Sequence, residues 1–153
     1  MLAQKEKKIR LHKAVEVKRI LEEMAADAFA RRVVHIGTSL KTDGPLYAAF
    51  EDAADENGAS MLVDFEGAFA YAAQKNKEGY LGFNDWRVPT IKELDVLHEN
   101  LNLPALQGSF FEKRKCYWSC DVYETLGCAE NLKSGKISYL RKPIPTALRL
   151  VRG

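Results

Sequence analysis

The most reactive side chains in this sequence lie close together in its second half: Cys116, Cys120 and Cys128. Thiolates attack electrophiles and bind soft metals, so such a run invites a catalytic, a disulfide or a metal reading. A structural metal needs a fourth ligand and more tightly paired cysteines. The histidines, His12, His35 and His98, are scattered through the chain. An odd number of cysteines is not a disulfide framework, although oxidation could join Cys128 to Cys116 or Cys120. If Cys116 and Cys120 share one strand, they point to the same face about 13 Å apart, beyond disulfide reach. Reduced thiols are therefore expected, and no catalytic residue, metal or cofactor is assigned.

Charge is the second chemistry. The net charge is +2, which gives no global signal for nucleic acid. Basic residues nevertheless recur in segments that read as loops: Lys113, Arg114 and Lys115 before a core strand, and Lys136, Arg141 and Lys142 around a Pro-containing turn. With Tyr123, these are the candidate ligand-binding residues, suited to a protein or an acidic glycan. No apolar run approaches the roughly 20 residues of a membrane span. The first ten residues are polar, without the apolar core of a signal peptide, so the sequence as written reads as cytoplasmic.

These groups need a scaffold. With 153 residues, 46% hydrophobic and 29% charged, the chain can build one core. Residues 4–32 lack Gly and Pro, and apolar side chains recur at Ala14, Val17, Leu21, Met24 and Ala28. That spacing predicts a long helix, which either packs on the domain or forms the seam of a homo-oligomer. The division expected is residues 1–32 for this helix and 33–153 for the domain. Strands are expected at 33–36, 46–50, 61–63, 117–119, 137–140 and 147–151. Asp64 suits the N-cap of a helix to about Asn76, with Phe65, Ala68, Phe69 and Ala72 on its apolar face. Thr90 and Glu93 have capping-box spacing for a second helix from Ile91 to about Asn100, and Pro89 stops the preceding segment from being helical.

Three ordered blocks carry a family resemblance. Gly82-Phe83-Asn84-Asp85-Trp86-Arg87-Val88-Pro89-Thr90 with Glu93-Leu94, then Tyr117-Trp118-Ser119, then Arg149-Leu150-Val151-Arg152-Gly153, resemble in order and spacing the Lcl (Legionella collagen-like) C-terminal domain family. The resemblance covers roughly residues 33–153. It implies an α+β fold of C-type-lectin-like type: two helices flanking a small, twisted, mostly antiparallel sheet, to which this chain adds its N-terminal helix. It also implies a long irregular stretch between core strands that carries the binding surface. Related domains occur in glycan-binding adhesins and in diversified ligand-binding proteins. The sequence departs from the family pattern at Cys120, at Leu150 and across residues 121–128.

The motif residues are read mainly as structural. Trp86 and Trp118 are expected in the core. Arg87 lies within reach of a bidentate pair with Glu93 or Asp95. Asp85 would tie the backbone N–H groups of its loop. Arg149 and Arg152 are read as sharing one face of the last strand, solvated or salt-bridged. Calcium is not expected, because Asn84-Asp85-Trp86 has no second acidic motif to complete six or more oxygen ligands. The functional expectation is a ligand-binding module rather than an enzyme. Alternatives are an intracellular assembly protein built on the N-terminal helix, or a formylglycine-generating type of enzyme using Cys116 and Cys120.

Overall fold

The β-branched run Val33, Val34 and Ile36, broken only by His35, forms the first strand, β1 (Val33–Thr38), which pairs antiparallel with β2 (Pro45–Ala49). Val34, Ile36, Leu46 and Ala48 turn to the interior. A register shift falls between His35 and Gly37, where Gly37 takes a φ of 157° and a Cβ would come within 2.8 Å of the Val96 side chain. The computed structural model describes residues 13–20, 32–39, 41–107, 109 and 116–153. Residues 13–20 are helical, as the N-terminal pattern requires, with their side chains exposed. The remainder of the expected helix lies outside the described residues. The chain divides into two units, the second being Arg32–Gly153.

Two helices follow. Helix α1 (Phe65–Glu78) starts where Asp64 accepts a 2.6 Å bond from the Gly67 N–H. It ends at Gly79, which takes the left-handed conformation that closes helices and bonds back to the Asn76 and Lys75 carbonyls. Phe65, Ala68 and Ala72 are buried as expected, whereas Phe69 remains 40% exposed. Helix α2 (Ile91–Glu99) has the complete reciprocal box between Thr90 and Glu93. Leu94 and Leu97 reach the core. Thr90→Ala should cost about 1 kcal/mol of stability, read by urea unfolding, since it strands the Glu93 N–H. A change below a few tenths would show that the cap is redundant.

A second antiparallel sheet has the order β3-β4-β5, with β3 (Cys116–Tyr123), β4 (Leu126–Asn131) and β5 (Ile137–Arg141). β4 corrects the sequence reading. Residues 121–125 are not an irregular loop: β3 runs on to Tyr123 and turns sharply through Glu124 and Thr125 into β4. Glu124 holds the turn with a φ of 55°, so the turn carries no Gly or Asn to announce it. Gly127 is needed on β4 because a Cβ there would lie 2.7 Å from both the Phe65 and Trp118 rings.

The first sheet is completed by β6 (Val151–Arg152), giving the order β1-β2-β6. A longer final strand at 147–151 was expected. The segment is extended, but its hydrogen-bond partners change almost residue by residue. Thr146 bonds to Val63, the Ala147 carbonyl to Trp118, Leu148 to Ala53, Leu150 to Ala49 and Val151 to Arg87. No single ladder can form, and the segment instead stitches both sheets and the intervening loops together. The expected strand at 61–63 is likewise only a bridge from Val63 to Thr146. One core packs α1 and both tryptophans against β4, and the other packs α2 against β1 and β2. No described helix is long and apolar enough to cross a membrane.

Candidate functional site

The Gly82–Thr90 block is held by a set of specific bonds. Trp86 is buried, its indole N–H donates 2.7 Å to the Tyr80 carbonyl, and its ring lies edge-on to Phe83 at 6.2 Å between centroids. Asn76 clamps the Trp86 backbone from α1, donating 2.8 Å to its carbonyl and accepting 2.7 Å from its N–H. This residue was not singled out from sequence, because an Asn near a helix end carries no long-range signal of its own. Arg87 forms the bidentate pair with Glu93, at 2.5 and 2.6 Å. Burial opposes the Glu93 charge, but the hydrogen bonds from Arg87 and Thr90 outweigh it, and the carboxyl titrates below its usual range.

Arg149 and Arg152 are both salt-bridged, but the shared face read for them needs correction. Asp85 is engaged chiefly by Arg152, through contacts of 2.7 and 3.1 Å that hold its carboxyl below the usual range. Arg152 also lies flat on Phe83, 3.7 Å from the ring centroid. Arg149 and Arg152 do not share a face: they are three positions apart, so side-chain alternation sends them to opposite sides. Arg149 is 0% exposed and donates to Asp52 at 2.8 Å, to the Ala49 carbonyl at 3.1 Å, to Ser109 at 2.6 Å and to the Phe50 carbonyl. Tyr117 donates 2.8 Å to the second Asp52 oxygen. Burial, reinforced by the Asp52 charge, pushes the Tyr117 phenol far above its ordinary value.

A cleft of about 350 Å³ lies between α1 and the motif, walled by Phe69, Ala72, Ala73, Trp86, Val88 and Cys120. Its polar groups are mostly committed: Asn76 to Trp86, Arg87 to Glu93, and Thr90 to the helix cap. Burial, reinforced by Asp121, raises the Cys120 thiol, which disfavours the nucleophilic thiolate. Cys128 is raised in the same way, and all three cysteines are free. Among the described residues, no group of three or more His, Cys, Asp or Glu is placed to hold a metal ion.

The predicted ligand-binding residues separate. Lys113, Arg114 and Lys115 lie outside the described residues. Tyr123 and Arg141 come together, because Tyr123 pairs with Leu126 and Leu126 with Arg141 in one cross-strand row. Beside them stands Tyr139, which sequence reading passed over as one residue of a short strand. Tyr123 and Tyr139 are 57% and 56% exposed, with ring centroids 5.4 Å apart. Ile137 lies two positions before Tyr139 and is also exposed. Lys142 turns to the opposite side and caps the Phe65 ring at 5.0 Å. Lys136 is exposed at the β4–β5 turn. The surface the structure assembles is thus an aromatic sheet face edged by one arginine, smaller and less basic than the loop surface expected.

No curated protein matches the chain. The family model described as the Lcl C-terminal domain matches residues 41–152. That span contains the Trp86 cradle, the Trp118 strand and the paired arginines Arg87, Arg149 and Arg152. It takes in well over half of the sequence, and the chain belongs to the Lcl C-terminal domain family.

Proposed function

We propose that this chain is a ligand-binding module on a C-type-lectin-like scaffold, and that it binds a protein or an acidic glycan through the part of the β3-β4-β5 sheet that exposes Tyr123, Tyr139 and Arg141. The observation that carries this reading is the exposed Tyr123–Tyr139 pair beside Arg141. Exposed aromatic residues held on a strand offer apolar area at low entropic cost, and they suit the apolar faces of sugar rings or a partner's side chains. Arg141 adds a planar donor for carboxylate or sulfate. The committed state of the motif's polar groups supports a scaffolding role for the motif and leaves recognition to this face.

The test uses a panel of sialylated and sulfated glycans, with heparin as the polyanionic probe. Tyr139→Ala should weaken binding about fivefold, in line with roughly 1 kcal/mol for an aromatic contact. Arg141→Gln should weaken binding and flatten its salt dependence. Both variants should melt like the parent, because both side chains are exposed. Parent-like binding by the double variant would remove the sheet face as the site.

A further inference from the structure

Glu130 is the least expected side chain in the interior. It sits on β4, is 0% exposed, and among the described residues no N–H or hydroxyl donor reaches either carboxyl oxygen. A buried ionised carboxylate without partners is strongly disfavoured, and a neutral carboxyl is much less so. The groups around it make ionisation harder. Helix α2 packs on β4 and brings Asp95 and Glu99 towards Glu130. The third titratable group on that part of the helix, His98, turns aside to bond the Leu132 carbonyl through Nδ1. From β3 the cross-strand partner is Tyr117, whose phenol is taken by Asp52. From β5 the partner is the uncharged Ile137, and on β4 itself Cys128 lies two positions away. Among the described residues, no cation acts on Glu130.

We propose that Glu130 is a pH-operated latch between β4 and α2, which lets the helix pack on the sheet while its carboxyl is neutral and loosens that packing when the proton leaves to solvent. This goes beyond the binding function and does not depend on it. The geometry sets the direction: a third negative charge would be confined beside Asp95 and Glu99, where the described residues supply no N–H or hydroxyl donor. Burial first, then a hydrogen bond that the protonated carboxyl shares with Asp95, and then the charges of Asp95 and Glu99, push Glu130 up from about 4.5 to about 8. The folded-state value therefore lies above the unfolded one. The folded chain holds a proton that the unfolded chain has released between those two values, so stability is greatest in acid. It falls as pH rises towards 8 and changes no further from this group beyond it.

The measurement is urea unfolding of the full chain from pH 5 to pH 9.5, for the parent and for Glu130→Gln, whose amide mimics the neutral acid. One proton of difference changes the relative unfolding constant up to tenfold per pH unit. The ratio of parent to variant unfolding constants should climb through this range and level off above about pH 8. Asp95→Asn should move the levelling-off to lower pH. In the parent, hydrogen exchange of the α2 amides, corrected for its intrinsic pH dependence, should quicken between pH 6 and 9. Parallel pH curves for parent and Glu130→Gln, or α2 protection unchanged across that range, would overturn the latch. So would a Glu130→Gln chain that fails to fold at any pH, since an amide should replace a neutral carboxyl.

Discussion

Arg149→Met should cost roughly 3–5 kcal/mol, the usual consequence of removing one partner from a buried ion pair. Methionine keeps much of the apolar stem and removes the charge. Asp52 then retains its Tyr117 bond but loses its cation, and the Ala49 and Phe50 carbonyls and Ser109 lose a donor. Folded domains are typically stable by about 5–15 kcal/mol, so such a loss would be visible as a large fall in the urea midpoint. Adding Asp52→Asn should recover part of the loss, because the stranded charge goes with it, while the carbonyls remain without their donor. A double-mutant cycle gives the coupling directly. If Arg149→Met unfolds within 1 kcal/mol of the parent, the arginine is not the internal brace that its bonds describe.

Trp118→Ala should cost about 3–5 kcal/mol, the range for deleting a large aromatic side chain from a core. The ring is 0% exposed, meets Phe65 edge-on at 5.4 Å and is fitted closely enough that Gly127 has no room for a methyl group. Its indole N–H also donates 2.8 Å to the Val63 carbonyl. Trp118→Phe separates the two contributions, retaining much of the packing and losing the N–H donor. It should fall between the parent and Trp118→Ala. Equal losses for the Phe and Ala variants would mean that the hydrogen bond, not the packing, fixes Val63 and the start of α1.

The parts of this fold that were legible in the sequence are those governed by local rules. Asp64, Thr90 with Glu93, and the β-branched run at residues 33–36 each act on neighbours a few residues away, and each element formed where its signal stands. The Arg87–Glu93 pair was legible for the same reason, spanning six positions across a helix start. What was not legible depends on long-range partners. Asp52 is an ordinary acidic residue in a polar stretch until Arg149 reaches it from 97 positions away. Glu130 reads as a surface acid until α2 is laid over β4. Reading Arg149 and Arg152 as sharing one face gives both the opposite parity to Leu150, which holds for Arg149 alone, and an odd separation of three forbids it in an extended segment. The candidate site was half legible. Tyr123 and Arg141 were named, but Tyr139 becomes their neighbour only through the register of β4 with β5, and β4 itself is announced by little except a glycine.

The segment from Thr146 to Val151 has a kinetic consequence. It supplies a partner to Val63, Trp118, Ala53, Ala49 and Arg87, contacts that reach back by as many as 101 positions, from Leu150 to Ala49. Assembly of such a domain is dominated by distant pairings, the circumstance in which chains fold slowly. Until residues 146–152 have been synthesised, β2 has only β1 beside it, and its other edge is open to any extended chain nearby. The last few residues act less as a final strand than as a zip. Their arrival turns two separately held halves into one cooperative unit, and until then the newborn chain is most exposed to mispairing with its neighbours.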